Sequence, residues 1–211
     1  VAGKRILPRN ALIFGMMLNI VAFVLFILFA TWLSAILTLA ATLVYVFIYT
    51  IGLKRNTPQN IVIGGAAGAF PPLIAWAAVT GDIGLGAVYL FAIVFFWTPP
   101  HFWALALMIK DDYAEAGIPM LPVVKGDDAT KKAIVLYVIL LLALTLMMVV
   151  TREVGWIYGI ASACLGIGYL YYAIQLYKSE GILKAKPAYL YSLAYLALLF
   201  VFVMIDASVT I

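Results

Sequence analysis

Charged side chains are scarce in this sequence, and the stretch from Trp97 to Gly117 concentrates several of them. Charged residues make up 10% of the chain, yet WTPPHFWALALMIKDDYAEAG holds three carboxylates, those of Asp111, Asp112 and Glu115. These oxygens lie within about one helical turn and suit Mg²⁺, which typically binds one or two carboxylates together with water and phosphate oxygens. The spacing predicts a metal site. The alternative is a solvated helix end with ordinary charges.

A pair of cations, Lys54 and Arg55, occurs in the segment YTIGLKRNTPQN. Arginine offers a planar fork of donors and lysine a point charge, and both bind phosphate oxygens. Polar side chains follow at Thr57, Gln59 and Asn60. The segment therefore predicts a diphosphate clamp opposite the carboxylates. Anchoring of a helix end is the alternative, because cations also complement the helix dipole there.

The composition places these groups in an integral membrane protein. Hydrophobic residues make up 67% of the 211 residues and the mean hydropathy is +1.15, whereas about a quarter of residues in soluble domains are charged. A spanning helix needs about 20 apolar residues, and seven such runs occur, at 11–31, 34–53, 61–80, 85–109, 133–151, 155–177 and 188–209. Continuous apolarity argues against a membrane barrel. We predict an all-α polytopic bundle that forms a single domain over residues 1–211.

The lysines and arginines predict the orientation, because they accumulate in cytoplasmic loops. Twelve of the 13 precede the first run or follow the second, fourth or sixth: Lys4, Arg5, Arg9, Lys54, Arg55, Lys110, Lys125, Lys131, Lys132, Lys178, Lys184 and Lys186. Only Arg152 falls on the other side. The basic loops and the mouth of the site are therefore expected to be cytoplasmic. This topology also explains the net charge of +4, so no nucleic-acid partner is expected.

Double prolines interrupt two neighbouring spans, at 71–72 and 99–100. Proline leaves the carbonyl four residues earlier without its donor, and lipid does not tolerate a free carbonyl, so both kinks should face inward. The only histidine, His101, follows the second pair. Polar groups at this depth are usually functional, although the imidazole could instead only bond a freed carbonyl. The aromatic residues around it could shield a carbocation, stack on a flat ring or face lipid.

A single helix from residue 85 to about 115 would place five residues on one stripe at 100° per residue. They are Trp97, His101, Met108, Asp112 and Glu115. His101 would then face the bundle at mid-membrane, about 16 Å along the axis from Asp112 at 1.5 Å per residue. Gly117 and Pro119 are expected to end this helix.

Two long strings resemble the UbiA-like intramembrane prenyltransferases, LKRNTPQNIVIGGAAGAFPPLIAWAAVTG and WTPPHFWALALMIKDDYAEAGIPMLPVVKG. The resemblance is densest from Tyr49 to Lys132. It implies a fold of nine spans, of which these seven would be the third to the ninth. The family carries two acidic clusters on cytoplasmic loops, and Asp111, Asp112 and Glu115 would be the second. The first has no counterpart, so we expect that the chain starts beyond it and lacks the first two helices.

The resemblance also implies an activity, the transfer of a farnesyl group from farnesyl diphosphate to a vinyl group of haem B, which gives haem O. Haem B would be a substrate and Mg²⁺, held by the carboxylates, the cofactor. The catalytic residues would be Asp111, Asp112, Lys54 and Arg55. The substrate-binding residues would be Lys54, Arg55, Asn60, Tyr49, His101, Trp97, Trp103 and Tyr113. Among these, His101 would contact or ligate the haem iron.

The same resemblance implies a location in the bacterial cytoplasmic (inner) membrane and an association with haem A synthase or with terminal oxidase assembly. Two other functions are compatible with the pattern. A related prenyltransferase could use a quinone precursor or another aromatic acceptor. A transporter of ions or small molecules could have the same composition, although such proteins tend to carry ionisable residues at depth or inverted repeats, and only His101 lies at depth here.

Overall fold

Long helices account for most of the described chain. The structure, a computed structural model, describes residues 7–209. Among them, seven helices are long and apolar enough to cross a membrane, and no strand occurs. The helices are α1 (Pro8–Phe29), α2 (Trp32–Leu43), α3 (Asn60–Thr80), α4 (Leu85–Met108), the short α5 (Lys110–Glu115), α6 (Leu121–Val150), α7 (Trp156–Lys178) and α8 (Ala185–Val209). The predicted all-α bundle of seven spans is confirmed. Lys4 and Arg5 lie outside the described residues.

Helix α2 continues as a π-helix, Val44–Leu53, which we call the π-segment. Helix α4 is central and packs against α3, α6 and α8, while α7 packs against α6 and α8. The main hydrophobic core fills the space between α4, α6, α7 and α8. Helix α1 packs on α2 and contains no buried residue. The first spans therefore extend outward from a four-helix core.

The predicted single helix from residue 85 to about 115 is wrong. The backbone of Ile109 leaves the helical region, with φ −122° and ψ 37°, and a separate helix begins at Lys110. The direction of the chain changes there, so the stripe predicted from Trp97 to Glu115 does not continue onto α5. Gly117 has a φ of 64°, a left-handed conformation that glycine adopts without strain. It ends α5 as predicted.

Helix α6 begins at Leu121, well before the apolar run predicted from residue 133. Gly126 kinks it, with φ 80° and ψ 174°, a conformation almost confined to glycine. The Thr130 hydroxyl donates to the Gly126 carbonyl over 2.8 Å. The Lys110 ammonium donates to the Asp127 carboxylate over 2.8 Å, with both side chains about one-third exposed. This ion pair connects the start of α5 to the kink in α6.

A carboxylate of α8 caps the start of α7. Asp206, near the end of α8, is buried and accepts hydrogen bonds from the backbone N–H groups of Gly155 and Tyr158. The first N–H groups of any helix lack partners within that helix, and a negative charge at this end is stabilised by the helix dipole. The contact fixes the start of α7 against α8.

Candidate active site

An apolar cavity of about 540 Å³ lies between the π-segment, α3 and α4. Its lining residues are Ala41, Thr42, Tyr45, Tyr49, Ile61, Gly64, Gly65, Ala67, Gly68, Thr98 and Phe102. Small-molecule sites in proteins typically measure about 300–1,000 Å³. From Ile61 to Gly68 the α3 wall extends about 10 Å at 1.5 Å per residue. The cavity thus runs from the end of the bundle near α5 toward the middle of the spans.

Small residues of α3 create this space. A Cβ atom on Gly64 would overlap the ring of Tyr49, and one on Gly65 would lie 3.0 Å from the Thr98 side chain. These two glycines therefore allow the π-segment and α4 to approach α3 closely. A Cβ atom on Gly68 would meet nothing within 4 Å. Gly68 thus borders open space at the inner part of the cavity.

The double proline of α3 contributes to the cavity wall. Pro71 and Pro72 lie inside the helix and leave the carbonyls of Ala67 and Gly68 without their usual donors. Ala67 and Gly68 both line the cavity. The double proline of α4 is buried in the bundle. The inward position predicted for a double proline is confirmed in α4, whereas in α3 Pro71 is exposed and Pro72 is partly exposed.

The π-segment supplies two tyrosines to the wall. Its wider turn is visible in the bond from the Lys54 N–H to the Tyr49 carbonyl, which spans five residues over 2.8 Å. The rings of Tyr45 and Tyr49 lie 5.6 Å apart between centroids, and both line the cavity. Most π-helices are single-turn bulges, and they occur frequently at functional sites. The family resemblance included Tyr49 among the expected substrate-binding residues but not Tyr45 or Thr98.

The cationic pair follows the π-segment directly. Lys54 is partly exposed and Arg55 exposed, and neither forms an ion pair with a described residue. The buried Asn60 side chain donates from Nδ2 to the Lys54 carbonyl over 3.1 Å. Its Oδ1 is buried and has no hydrogen-bond partner among the described residues. Asn60 therefore shapes the turn that presents both cations at this end of the bundle.

The three predicted metal ligands lie on α5. Asp111, Asp112 and Glu115 are exposed and form no ion pair with described residues. Within residues 7–209, no three His, Cys, Asp or Glu side chains lie together as a metal-binding group. Mg²⁺ needs only one or two carboxylates from the protein, and the adjacent Asp111 and Asp112 have suitable oxygens. The metal assignment stays a prediction.

One small hydrophobic cluster joins α5 to the cavity. Its buried members are Ile61, Ala106 and Met120, and Tyr49 and Tyr113 pack against it. Burial raises the pKa of the Tyr113 phenol above its ordinary value, and a phenol is already a protonated donor at neutral pH. Because Tyr113 follows Asp112 directly, the carboxylates and the cationic pair lie at the same end of the bundle as Tyr49.

His101 faces away from this cavity. Its ring is buried between α4 and α8, stacked on Trp97 at 4.2 Å and on Tyr189 at 4.8 Å between centroids. Its Nδ1 lies 2.7 Å from the Ser192 hydroxyl. The Trp97 indole N–H donates to the Ser192 carbonyl over 2.9 Å. His101 and Trp97 thus form a second polar location, on the opposite side of α4.

Trp103 lies outside both the cavity and the contact between His101 and α8. It is 3% exposed, and its ring packs edge-on against Tyr137 of α6 at 5.1 Å between centroids. The predicted substrate-binding residues therefore divide into three groups. Tyr49, Asn60 and Tyr113 lie around the cavity end with the cationic pair, whereas the histidine and Trp103 face different neighbours of α4.

The model of the UbiA prenyltransferase family matches residues 1–199, which is nearly the whole chain. The chain belongs to this family. Every predicted site residue lies within the matched range, as do all the lining residues of the cavity. No solved structure matches the chain.

Curated members of the UbiA family show how similar the chain is to named proteins. A protoheme IX farnesyltransferase from Roseiflexus sp. is 53% identical over 213 residues, which cover 98% of this chain and 40% of the relative. One from Deinococcus radiodurans is 54% identical over 207 residues, which cover 95% of this chain and 66% of the relative. A third, from Gloeobacter violaceus, is 48% identical over 204 residues. The chain thus spans less than two thirds of the length of the first two.

Proposed function

We propose that the protein transfers a farnesyl group from farnesyl diphosphate to a vinyl group of haem B and thereby forms haem O. The apolar cavity next to the cationic pair carries this proposal, because an isoprenoid diphosphate combines an apolar chain with a strongly anionic head. The names of the UbiA-family relatives support farnesyl as the group and protoheme IX as the acceptor. Family membership favours a prenyltransferase over a transporter.

The diphosphate would bind at the end of the cavity near α5. Lys54 and Arg55 would neutralise the negative charge that grows on the leaving group as the carbon–oxygen bond breaks. Asp111 and Asp112, with Glu115 beside them, would hold Mg²⁺, which supplies Lewis-acid stabilisation of the diphosphate when bound. The partly buried Tyr113 phenol would donate a hydrogen bond at the same place.

The farnesyl chain would lie along the cavity between the π-segment and α3. Breaking of the carbon–oxygen bond leaves an allylic cation, and the faces of aromatic rings stabilise cations. Tyr45, Tyr49 and Phe102 line the cavity and would provide such faces while excluding water. A vinyl carbon of haem B would then bond to the farnesyl carbon. Water would add a hydroxyl to the other vinyl carbon and release one proton, and diphosphate would leave.

The acceptor would bind through His101, the only histidine of the chain and the usual residue type at haem iron. Because His101 faces α8 and not the prenyl cavity, binding there requires that a vinyl-bearing edge of the porphyrin reach past α4 to the farnesyl carbon. Trp97, stacked on His101, would contact the same substrate. A quinone precursor or another aromatic acceptor is the alternative, because it would use the same diphosphate end without requiring an iron ligand.

The positions of the cations support an orientation with Lys54, Arg55 and α5 on the cytoplasmic side. The similarity to bacterial relatives supports a location in the cytoplasmic (inner) membrane. Farnesyl diphosphate is water-soluble at its head and would enter from that side. Haem O would leave within the membrane, where a haem A synthase or an oxidase assembly factor would receive it.

Mass spectrometry of haem extracted from cells expressing the gene tests the proposal. Haem O is expected with the wild-type protein, and little or none with Asp112→Asn or after chelation of divalent metals in isolated membranes. Asp128→Asn is the matched control, because Asp128 is a fully exposed carboxylate on the same side of the bundle. A prenylated quinone precursor instead of haem O would favour the alternative acceptor. Full activity of Asp112→Asn would contradict the metal assignment.

A further inference from the structure

The contact between His101 and Ser192 determines where the imidazole carries its proton. The Ser192 hydroxyl lies 2.6 Å from the Tyr189 carbonyl oxygen and 2.7 Å from His101 Nδ1. Two oxygens this close need a hydrogen between them, and a serine hydroxyl has one hydrogen to give. The Ser192 hydroxyl therefore donates to the carbonyl and accepts from the N–H of Nδ1. In a neutral imidazole the other nitrogen, Nε2, is then unprotonated.

The surrounding rings hold this orientation. His101 lies between the stacked rings of Trp97 and Tyr189, and Phe102 meets it edge-on at 5.4 Å between centroids. Trp97 also donates to the backbone carbonyl of Ser192. Two residues one turn apart on α4 are thus hydrogen-bonded to one residue of α8. A flip of the imidazole would break the Nδ1 bond and leave the Ser192 hydroxyl without its donor.

We propose that Ser192 is a positioning residue that fixes His101 in the tautomer with the proton on Nδ1, so that Nε2 presents a lone pair to the iron of a porphyrin substrate. Nε2 forms no hydrogen bond with any described residue, and because Trp97 and Tyr189 stack on the imidazole, the iron would approach along the ring edge that carries Nε2. Iron binds only an unprotonated imidazole nitrogen, and the bond made by the other nitrogen selects which one is free. The iron part of this inference rests on the proposed haem acceptor, whereas the tautomer does not.

The single histidine makes the tautomer directly measurable. Protein labelled with ¹⁵N-histidine gives one pair of imidazole nitrogen signals, and we expect a protonated Nδ1 and an unprotonated Nε2 in the wild type. In Ser192→Ala we expect this pattern to change to mixed or inverted protonation. The matched control is Ser162→Ala, because Ser162 is equally buried and also donates to a carbonyl three residues earlier, that of Gly159, but has no contact with the histidine. A protonated Nε2 in the wild type, or an unchanged pattern in Ser192→Ala, would overturn the proposal.

Haem binding provides the second measurement. Titration of the detergent-solubilised protein with haem B, followed by its absorption spectrum, is expected to show affinity about 10- to 100-fold weaker for Ser192→Ala, the usual loss when the partner of a metal-binding histidine is removed. Ser162→Ala should bind like the wild type. Ser192→Thr keeps a hydroxyl and should restore both the affinity and the nitrogen pattern, even if Ser192→Ala folds poorly.

The two measurements separate the possible failures. A changed tautomer with unchanged haem affinity would overturn the role of Ser192 in substrate binding. A wild-type protein that binds no haem would contradict the proposed acceptor and with it the iron part of the inference, while the ¹⁵N spectra would still decide the tautomer.

Discussion

The ring of Tyr49 lies directly against the backbone of Gly64, in a position that a Cβ atom on residue 64 would occupy. This contact brings the π-segment against α3 and closes one wall of the cavity. Gly68 lies one turn further along the same helix and lines the same cavity, yet it borders open space. The two glycines therefore form a natural pair for comparison.

Gly64→Ala is expected to destabilise the protein by about 1–3 kcal/mol, the usual effect of overpacking, because the Tyr49 ring must move. Gly68→Ala should show no such loss, since its methyl group meets no neighbour. Each substitution replaces a helical glycine with alanine, so the gain in helix propensity is the same. The difference in stability between the two variants therefore reports the contact with Tyr49. Thermal unfolding in detergent measures it, and equal melting temperatures for the two variants would contradict the packing described here.

Gly68→Leu is expected to change the length of prenyl group that the protein accepts. The larger side chain would fill the inner part of the cavity, so farnesyl transfer should fall about tenfold or more, whereas transfer from the shorter geranyl diphosphate should be retained. Product formation from each diphosphate in membranes measures the ratio.

The control for this experiment is Gly15→Leu. Gly15 also has open space around it and lines a separate apolar groove of about 510 Å³ between α1 and α2. A change of chain-length preference in Gly15→Leu alone would place the prenyl chain in that groove instead. If Gly68→Leu lowered transfer from farnesyl diphosphate and from geranyl diphosphate equally, the cavity beside Gly68 would not be the binding site of the prenyl chain.

Arg55→Ala is expected to lower kcat/KM for farnesyl diphosphate by about tenfold or more, because charge-assisted hydrogen bonds to the diphosphate are lost. Arg55→Lys should recover part of this, since lysine keeps the charge but not the planar fork. Arg9→Ala, which removes a cation in the first turn of α1 on the same predicted side, serves as the control. Equal effects of Arg9→Ala and Arg55→Ala would indicate a general influence of surface charge.

Asp206→Asn is expected to destabilise the protein by about 1.5–3 kcal/mol, the typical contribution of hydrogen bonds to a charged group. The carboxylate accepts from two backbone N–H groups, and an amide offers one oxygen in place of two. Asp82→Asn is the control, because Asp82 is exposed and accepts from its neighbour Ile83. The unfolding temperature of Asp82→Asn should stay close to that of the wild type. An unfolding temperature of Asp206→Asn equally close to that of the wild type would contradict a capping role.

The spans were predictable from sequence because the bilayer imposes a length and an apolar composition on every crossing. The inward position of the α4 double proline followed from the donors that its prolines remove, whereas Pro71 of α3 is exposed. The break at Ile109 was not predictable, because no proline or glycine marks it and the local sequence favours a continuous helix. The kink at Gly126 was missed for a different reason. It falls in a polar segment that the hydropathy pattern assigns to a loop.

The candidate site was predictable only in part. Periodicity correctly places Trp97 and His101 on one side of α4, four residues apart, but it cannot tell which neighbouring helix they face. That depends on how α8 packs against α4, and Ser192 carries no sequence signal for its contact with the histidine. Tyr45 was missed because a π-helix changes which residues share a face, and the α-helical period does not describe it.

The capping carboxylate of Asp206 has a consequence for biogenesis. Helix α7 is synthesised before α8, so the N–H groups of Gly155 and Tyr158 have no acceptor from Asp206 until α8 has been synthesised. Their pairing then requires α8 to be beside α7 in the membrane. We therefore expect α7 and α8 to integrate as a hairpin, with α7 held near the insertion machinery until its partner arrives.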